Sequence, residues 1–242
     1  MKKLVKNILG KFDIGIHRIS AQQAQREREQ ALRSHIEGQA LSINDKDLIN
    51  AFYADNERVK REYLTPERES FYKKIVTTVA SKNIDLQDKK VLDAGCGTGH
   101  LLYFLLQEFA LDKTALYGFD FSEGSVAFTQ KIIEGGTFFT HDIYKPLPSE
   151  PTYDIVFCTE VLEHLLYPQQ ALENLLASLS PQGTCILTVP NGRIDNYNGH
   201  INFWSPESWE IFVQQVCGQN YTFETLYMDE AIKNMAIITK KS

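Results

Sequence analysis

Apolar side chains in the first third of the chain recur about every 3.6 residues, the spacing of an amphipathic helix. One apolar face comprises Leu48, Ile49, Phe52 and Tyr53. A second face comprises Phe71, Tyr72, Ile75, Val76 and Val79. Thr65 and Pro66 form a typical helix start, because threonine caps the first turn and proline suits its first position. The pattern therefore predicts leading helices over residues 46–88.

From Lys89 onward, short apolar runs alternate with longer amphipathic stretches. The runs that predict strands are KKVLDAG, ALYGFD, GTFFTHD, YDIVFCTE and GTCILTVPN, and stretches of helical length lie between most of them. Such alternation predicts an α/β fold, in which helices cover both faces of a doubly wound, mostly parallel sheet to give three layers. We expect residues 89–191 to form the core of this domain. Residues 192–242 are then predicted to add a loop, a last helix and terminal strands.

Residues 1–45 are predicted to form a separate helical extension. Its first 20 residues place Leu4, Val5, Ile8, Leu9, Phe12 and Ile16 on one helical face. They also hold five lysine and arginine residues against one aspartate. A basic amphipathic helix of this kind binds an anionic membrane surface, or it packs on the domain or on a partner chain. Residues 21–35 are polar almost all round and predict a solvated connector.

Composition narrows the class of protein. The 242 residues are 43% hydrophobic and 23% charged, which excludes a disordered or fibrous chain. A net charge of −6 argues against a protein held to nucleic acid mainly by phosphate contacts. The four widely spaced cysteines predict reduced thiols in the cytoplasm, with no disulfide framework and no metal site. No run approaches the roughly 20 apolar residues that span a bilayer.

The strongest chemical signal is the segment VLDAGCGTGH, residues 91–100, where a strand must turn into a helix through three glycines. Glycine permits positive φ and close approach of a ligand to the backbone. The spacing is G-x-G-x-G, which differs from the G-x-G-x-x-G pattern of dinucleotide sites. Asp93 precedes the first glycine by two residues, and its carboxylate would repel a pyrophosphate but hold an ammonium group.

Two further strands are predicted to end in acids. Asp120 ends the second strand, where a carboxylate accepts hydrogen bonds from both hydroxyls of a ribose. The third strand is predicted to end in His141, Asp142 and Ile143, and the last two suit an adenine amino group and the face of its ring. Together the three strand ends describe a ligand with an amine, a ribose and an adenine. S-adenosylmethionine has these three parts.

In order along the chain, VLDAGCGTG, GFD, the His141-Asp142 pair and YDIVFCTEVLEHL resemble the motifs of class I S-adenosylmethionine-dependent methyltransferases. The resemblance implies a seven-stranded, Rossmann-like sheet. It also implies that S-adenosylmethionine is the cofactor and S-adenosylhomocysteine the product. The cofactor-binding residues that it implies are Asp93, Gly95, Cys96, Gly97, Gly99, Asp120, Phe121, Asp142, Ile143 and Thr159. For Phe121 and Ile143, a role in core packing remains an alternative.

Two histidines are the candidate catalytic residues. His164 lies in the loop after the fourth strand, and its ordinary pKa suits a general base at neutral pH. The alternative is that Glu163 and His164 only fix that loop by hydrogen bonds. His200 lies in a second loop after the fifth strand, where it and Tyr197 and Phe203 are candidates to line an acceptor pocket. Ser205 and Pro206 predict the start of the last helix.

The sequence says less about the identity of the methyl acceptor than about the identity of the cofactor. The loop TEVLEHL lacks the N/D-P-P-Y/F run typical of amino-methylating enzymes of DNA and protein glutamine. The layout resembles enzymes that methylate small molecules, including quinone precursors and sugars, and the N-terminus loosely resembles enzymes of surface-polysaccharide synthesis. We therefore expect O-methylation of a small-molecule or glycan-type acceptor, without nucleic acid, in the cytoplasm, with the inner membrane surface as an alternative location there. The alternatives are a non-catalytic scaffold subunit, a quinone-precursor methyltransferase and a nicotinamide oxidoreductase, which the glycine spacing disfavours.

Overall fold

A computed structural model describes residues 23, 26, 27, 45–228 and 232–241. The amphipathic helix predicted for residues 1–20 lies outside the described residues, as does most of the predicted connector. Gln23, Arg26 and Glu27 are helical. The division of the chain at residue 45 therefore stays a prediction.

Three helices precede the sheet, as the 3.6-residue periodicity predicts. They are α1 (Lys46–Ala54), α2 (Asn56–Tyr63) and α3 (Pro66–Ser81). The carboxylate of Asp45 caps α1 by accepting hydrogen bonds from the backbone N–H groups of Asp47 and Leu48. The Thr65 hydroxyl caps α3 by accepting from the N–H of Arg68 at 3.4 Å. Both caps satisfy donors that a first helical turn leaves without partners inside the helix.

Strands and helices then alternate to the end of the described chain. The strands are β1 (Val91–Ala94), β2 (Leu116–Asp120), β3 (Thr137–Thr140), β4 (Tyr153–Thr159), β5 (Leu179–Pro190), β6 (Tyr221–Met228) and β7 (Lys233–Lys240). The helices among them are α4 (His100–Phe109), α5 (Glu123–Ile132), α6 (Pro168–Ala177) and α7 (Pro206–Cys217). The seven strands form one sheet in the order β3-β2-β1-β4-β5-β7-β6, in which β7 runs antiparallel to the other six strands. The predicted fold class is confirmed.

Side chains of the central strands alternate between two hydrophobic cores, one on each face of the sheet. In β4, Val156 and Cys158 join the core with α6 and α7, whereas Ile155 and Phe157 join the core with α3, α4 and α5. Every residue of β1 is buried, because helices cover both faces of the strand. The segment from Val91 to Ala94 therefore lacks the alternation of apolar and polar residues that is typical of a strand with one face in water.

The strand order reverses at β1, which lies between β2 and β4. In open α/β sheets, ligands bind beyond the carboxyl ends of the strands at such a reversal. The residues singled out from the sequence follow β1, β2, β3 and β4 at this edge. Among the described helices, none has the length and apolarity needed to cross a membrane.

Candidate active site

The turn after β1 has a backbone conformation and close contacts that only glycine allows. Gly95 and Gly97 both have positive φ, +75° and +51°. A Cβ atom on Gly95 would lie 2.5 Å from a methyl carbon of Val161, and one on Gly97 would lie 3.2 Å from the Tyr53 hydroxyl. The N–H groups of Gly95 and Cys96 donate to the carbonyl of Phe119 at 2.8 and 2.9 Å. The turn is thus held against β2 and presents bare backbone to the site.

Asp93, before the glycine turn, is an acid whose pKa is changed strongly by its surroundings. Its side chain is 2% exposed, and its Oδ1 has no hydrogen-bond partner within the described chain. Burial raises the pKa of Asp93 to about 7, and the nearby charge of Asp120 acts in the same direction. A buried carboxylate that lacks a partner is a strong site for a cationic group of a ligand.

Asp120 connects the turn after β1 with the turn after β2. Its Oδ2 accepts a hydrogen bond from the Gly97 N–H at 3.1 Å, and its Oδ1 accepts from the Ser122 N–H at 2.9 Å. Burial raises the pKa of Asp120, while these backbone donors oppose the rise. Each carboxylate oxygen has a second lone pair, so the same group also accepts hydrogen bonds from a ligand.

A single cavity of about 1010 Å³ runs along this edge of the sheet. Of the ten predicted cofactor residues, all except Gly99 border it. Gly99 instead lies at the start of α4, where a Cβ atom would lie 2.7 Å from the Thr129 side chain. Phe121 is 38% exposed and borders the cavity rather than packing in a core. The volume is at the upper end for small-molecule sites, which leaves room for a second molecule beside a nucleoside-sized ligand.

The residues present fit S-adenosylmethionine. The Asp93 Oδ1, which has no hydrogen-bond partner among the described residues, suits the ammonium group of the methionine part, and Asp120 suits the ribose. Asp142 and Ile143 border the far end of the cavity, where the adenine would lie. The arrangement matches the order of groups in the ligand.

Helix α1 closes the cavity from above. The Asn50 Oδ1 accepts hydrogen bonds from the Ser122 hydroxyl at 2.7 Å and from the Gly124 N–H at 3.1 Å. Tyr53 is buried over Gly97, with its hydroxyl hydrogen-bonded to Ser125. These contacts tie α1 to the start of α5 across the cofactor region.

Replacing Asn50 with alanine tests this closure. We expect Asn50→Ala to weaken S-adenosylhomocysteine binding about 5- to 30-fold, because two donors near the cavity lose their acceptor at about 1–2 kcal/mol in total. Isothermal titration calorimetry measures the change. Asp47→Asn, an exposed substitution on the same helix, is the matched control and should leave the affinity within about twofold. Wild-type affinity in Asn50→Ala would show that α1 does not contribute to cofactor binding.

The opposite end of the cavity holds a cluster of charged and aromatic groups. Glu160 directly follows β4 and adopts φ of +56°, an uncommon conformation for a residue other than glycine. Its Oε2 pairs with the Lys233 ammonium, while its Oε1 is buried and has no hydrogen-bond partner in the described parts of the chain. The Arg68 guanidinium lies 4.2 Å from the centre of the Tyr63 ring and hydrogen-bonds to Tyr72. Burial raises the pKa of Tyr72 to about 12.

Sequence reasoning missed Arg68, Tyr72 and Asn50 as site residues. They belong to α1 and α3, which precede the recognisable motifs along the chain, and no local pattern marks them as site residues. One feature of the sequence could have identified Glu160, because this residue lies at the end of a predicted strand. Its positive φ is visible only in the structure.

His164 borders the cavity beside Glu160. Its Nδ1 lies 3.0 Å from the Gly199 carbonyl, an acceptor, so this contact assigns the ring hydrogen to Nδ1. Burial lowers the pKa of His164 to about 4, and the neighbouring His200 acts in the same direction. The imidazole is therefore neutral at pH 7, with Nε2 as its acceptor atom. The histidine thereby joins the segment after β4 to the loop after β5.

His200 lies behind His164, with ring centres 4.7 Å apart. Its Nδ1 is 2.6 Å from the Asp195 carboxylate, and the residue is 8% exposed. Of the three candidates in the second loop, Tyr197 borders the cavity, whereas His200 and Phe203 do not. His200 therefore reaches the site only through His164 and Glu163.

Glu163 completes this group. It is 1% exposed, and burial, together with the charge of Glu160, raises its pKa well above the ordinary range. One ligand atom from each of Glu163, His164 and His200 lies within 4.8 Å of the other two. A carboxylate and two imidazoles are common metal ligands, a combination that the sequence analysis did not predict.

The comparison with known proteins agrees with the geometry of the cavity. A profile of the methyltransferase-domain family matches residues 64–216. The ubiquinone biosynthesis O-methyltransferase of Rickettsia canadensis is 28% identical over 127 residues, 48% of this chain and 49% of that protein. The tRNA U34 carboxymethyltransferase of Nautilia profundicola is 33% identical over 132 residues, 52% and 41% of the two chains. The chain thus spans about half the length of the curated relatives that it matches.

Solved structures show the same fold at low identity. The magnesium protoporphyrin IX methyltransferase ChlM of Synechocystis PCC 6803, solved with bound S-adenosylhomocysteine, aligns with a TM-score of 0.60 at 19% identity. The alignment covers 81% of this chain and all of that one. The plantazolicin methyltransferase BpumL gives 0.60 at 16% identity over 86% of this chain and 99% of that one.

The family match covers more than half of the chain and includes β1 to β5 and the glycine turn. The chain belongs to the methyltransferase-domain family. Within it, the sheet order and the motifs along the cavity are those of class I S-adenosylmethionine-dependent methyltransferases, as the resemblance implied.

Proposed function

We propose that this protein transfers a methyl group from S-adenosylmethionine to a hydroxyl oxygen of a small-molecule acceptor. The observation that carries the proposal is the continuous cavity, which runs from the acids at the strand ends to the group around Glu160 and His164. The first part suits the cofactor, and the second provides hydrogen-bond acceptors for a hydroxyl group. The O-methyltransferase named among the relatives supports the same acceptor atom.

In this proposal the protein mainly aligns two molecules. S-adenosylmethionine supplies a methyl group made electrophilic by a positively charged sulfur. Asp93 and Asp120 fix the methionine and ribose parts, and α1 excludes water above them. Glu160 Oε1 and His164 orient the acceptor hydroxyl, and alignment of this kind can account for about 7–11 kcal/mol of a barrier. That His164 or His200 acts as general base stays a prediction.

The walls of the acceptor end favour a flat, partly apolar acceptor. Tyr63, Phe71, Tyr72 and Leu165 border it, and Arg68 adds one cation. A phenol or catechol, as in a quinone precursor, suits such walls. The glycan-type acceptor is predicted from a layout that resembles sugar-methylating enzymes and from the basic N-terminus, which lies outside the described residues. That alternative, the membrane-facing cytoplasmic location and the absence of nucleic acid partners remain predictions.

A methyl-transfer assay with the full chain tests the proposal. We expect radiolabelled methyl from S-adenosylmethionine to enter 3,4-dihydroxybenzoate or a related catechol. Mass spectrometry should then place the methyl group on oxygen. A nucleotide sugar and unmodified tRNA serve as comparison acceptors, because one relative is named for tRNA. Methylation of tRNA alone, or S-adenosylhomocysteine binding with no turnover on any acceptor, would contradict a small-molecule O-methyltransferase.

A further inference from the structure

We propose that Glu163, His164 and His200, a group that we call the EHH cluster, form a binding site for one divalent transition-metal ion. One ligand atom from each residue lies within 4.8 Å of the other two. Three donors bound at about 2.0–2.2 Å from one ion lie about 3.3–3.8 Å apart, and donors 4.8 Å apart reach that spacing if each moves by about 0.7 Å. The EHH cluster therefore needs side-chain movements of less than about 1 Å to close around an ion.

The Glu163 carboxylate provides the independent observation. It is 1% exposed, and neither of its oxygens has a hydrogen-bond partner among the described residues. Its closest basic neighbour is His200, whose Nε2 lies 3.9 Å from Glu163 Oε1. A buried carboxylate without hydrogen-bond partners destabilises the folded protein. A cation bound to one or both of its oxygens removes this destabilisation. Packing alone does not account for a glutamate at this position.

The two histidines have the supporting contacts that metal ligands require. The Nδ1 of His200 donates to the Asp195 carboxylate at 2.6 Å, and the Nδ1 of His164 donates to the Gly199 carbonyl at 3.0 Å. Such contacts fix each ring and assign the lone pair to Nε2, the usual arrangement around bound metals. Asp195 also accepts the Tyr197 N–H at 3.2 Å, so the loop itself positions the supporting carboxylate.

The backbone holds the EHH cluster together across two loops. The Glu163 carbonyl accepts from the N–H groups of Ile201 and Asn202 at 2.8 and 3.0 Å. The Asn202 side chain in turn donates to the carbonyls of Leu162 and Leu165. The segment after β4 and the loop after β5 are thus joined on both sides of the cluster, so the three ligands are preorganised by hydrogen bonds.

The ligand atoms of the EHH cluster limit which metal ions it can bind. Two imidazoles and one carboxylate suit Zn²⁺, Mn²⁺, Fe²⁺ or Co²⁺, and are unlike the all-oxygen sites of Ca²⁺ and Mg²⁺. Because His164 borders the cavity, an ion at the EHH cluster would have one side toward the acceptor. There the ion, and no longer the His164 Nε2 that binds it, would contact the acceptor hydroxyl and favour loss of the hydroxyl proton to solvent. This role, unlike the binding itself, rests on the proposed function.

Direct metal binding tests the site without any acceptor. We expect Zn²⁺ titrated into the metal-stripped full chain to bind at one ion per chain, and Co²⁺ to give a visible absorption spectrum of nitrogen and oxygen ligands. Glu163→Gln and His200→Gln should each weaken binding at least tenfold, and Asp195→Asn by about tenfold through His200. His100→Gln, which removes a histidine outside the cluster, is the matched control and should bind like the wild type.

The thermal shift with S-adenosylhomocysteine, measured on every variant, separates the two proposals. A retained shift shows that the variant is folded and binds cofactor. Absence of stoichiometric metal in the wild type, or undiminished binding in both Glu163→Gln and His200→Gln, would overturn the metal site and leave the methyltransferase proposal intact. Metal binding without any S-adenosylhomocysteine shift would do the reverse. The catalytic role further requires that metal removal lowers acceptor turnover at least tenfold while S-adenosylhomocysteine affinity stays within about twofold.

Discussion

Asp93→Asn is expected to make the cofactor-free protein more stable while it removes most of the cofactor affinity. Asp93 is buried, its Oδ1 has no hydrogen-bond partner in the described chain, and burial raises its pKa to about 7. Above that pH the folded protein holds a desolvated charge that the unfolded chain exposes to water. The pKa difference of about three units corresponds to at most about 4 kcal/mol of folding free energy.

The sign of the pH dependence follows from the raised pKa. Between about pH 4 and pH 7 the folded state retains a proton on Asp93 that the unfolded state loses, so this group lowers stability as the pH rises. The stability difference between Asp93→Asn and wild type should therefore be near zero at pH 4, grow up to about pH 7 and then stay constant. Urea unfolding at several pH values measures it. An equal difference at pH 4 and pH 8 would contradict the raised pKa.

Cofactor binding should change in the opposite direction. Loss of a charge-assisted contact to the methionine ammonium weakens S-adenosylhomocysteine binding about 10- to 100-fold. Wild-type affinity should also fall about tenfold per pH unit below pH 7, as Asp93 takes up a proton, whereas Asp93→Asn should show no such slope. Asp120→Asn is the comparison, because its two backbone donors need a carboxylate. That variant should lose both stability and affinity.

The contrast between these two acids shows what sequence reasoning can and cannot reach. Both were predicted as cofactor residues from their positions at strand ends, and both border the cavity. The sequence did not show that Asp120 is already bound by two N–H groups while Asp93 Oδ1 has no hydrogen-bond partner among described residues. Hydrogen-bond partners of a buried acid come from other loops, and their arrangement depends on the tertiary structure.

The fold itself was largely predictable, because strand burial and helix periodicity are local signals. The alternating runs from Val91 onward, the Thr65-Pro66 helix start and the Ser205-Pro206 helix start all appear as expected. The acceptor end was not predictable to the same extent. Arg68 and Glu160 come from segments about 90 residues apart along the chain, and only the tertiary structure brings them to one cavity.

Gly192→Ala is expected to damage the acceptor loop while it leaves the cofactor region intact. The Gly192 N–H donates to the Trp204 carbonyl at 2.7 Å, which closes the loop that carries Asp195, Gly199 and His200. A Cβ atom on Gly192 would lie 2.3 Å from the Phe203 carbonyl carbon and 2.7 Å from the Trp204 nitrogen. These are backbone atoms, so no side-chain rotation relieves the overlap.

The expected loss of stability is about 3 kcal/mol, from overpacking and the weakened loop-closing hydrogen bond, or roughly 6–12 °C in melting temperature. Gly218→Ala is the matched control: Gly218 has φ of +51° but open space around the Cβ position, so only about 1 kcal/mol of backbone strain is expected. Acceptor turnover should fall at least tenfold in Gly192→Ala, because the Gly199 carbonyl no longer positions His164. S-adenosylhomocysteine affinity should stay within about threefold, since the strand ends that bind it do not contact this loop. Equal losses of turnover and cofactor affinity would mean that the loop after β5 supports the whole cavity, and that cofactor and acceptor sites are not structurally separable.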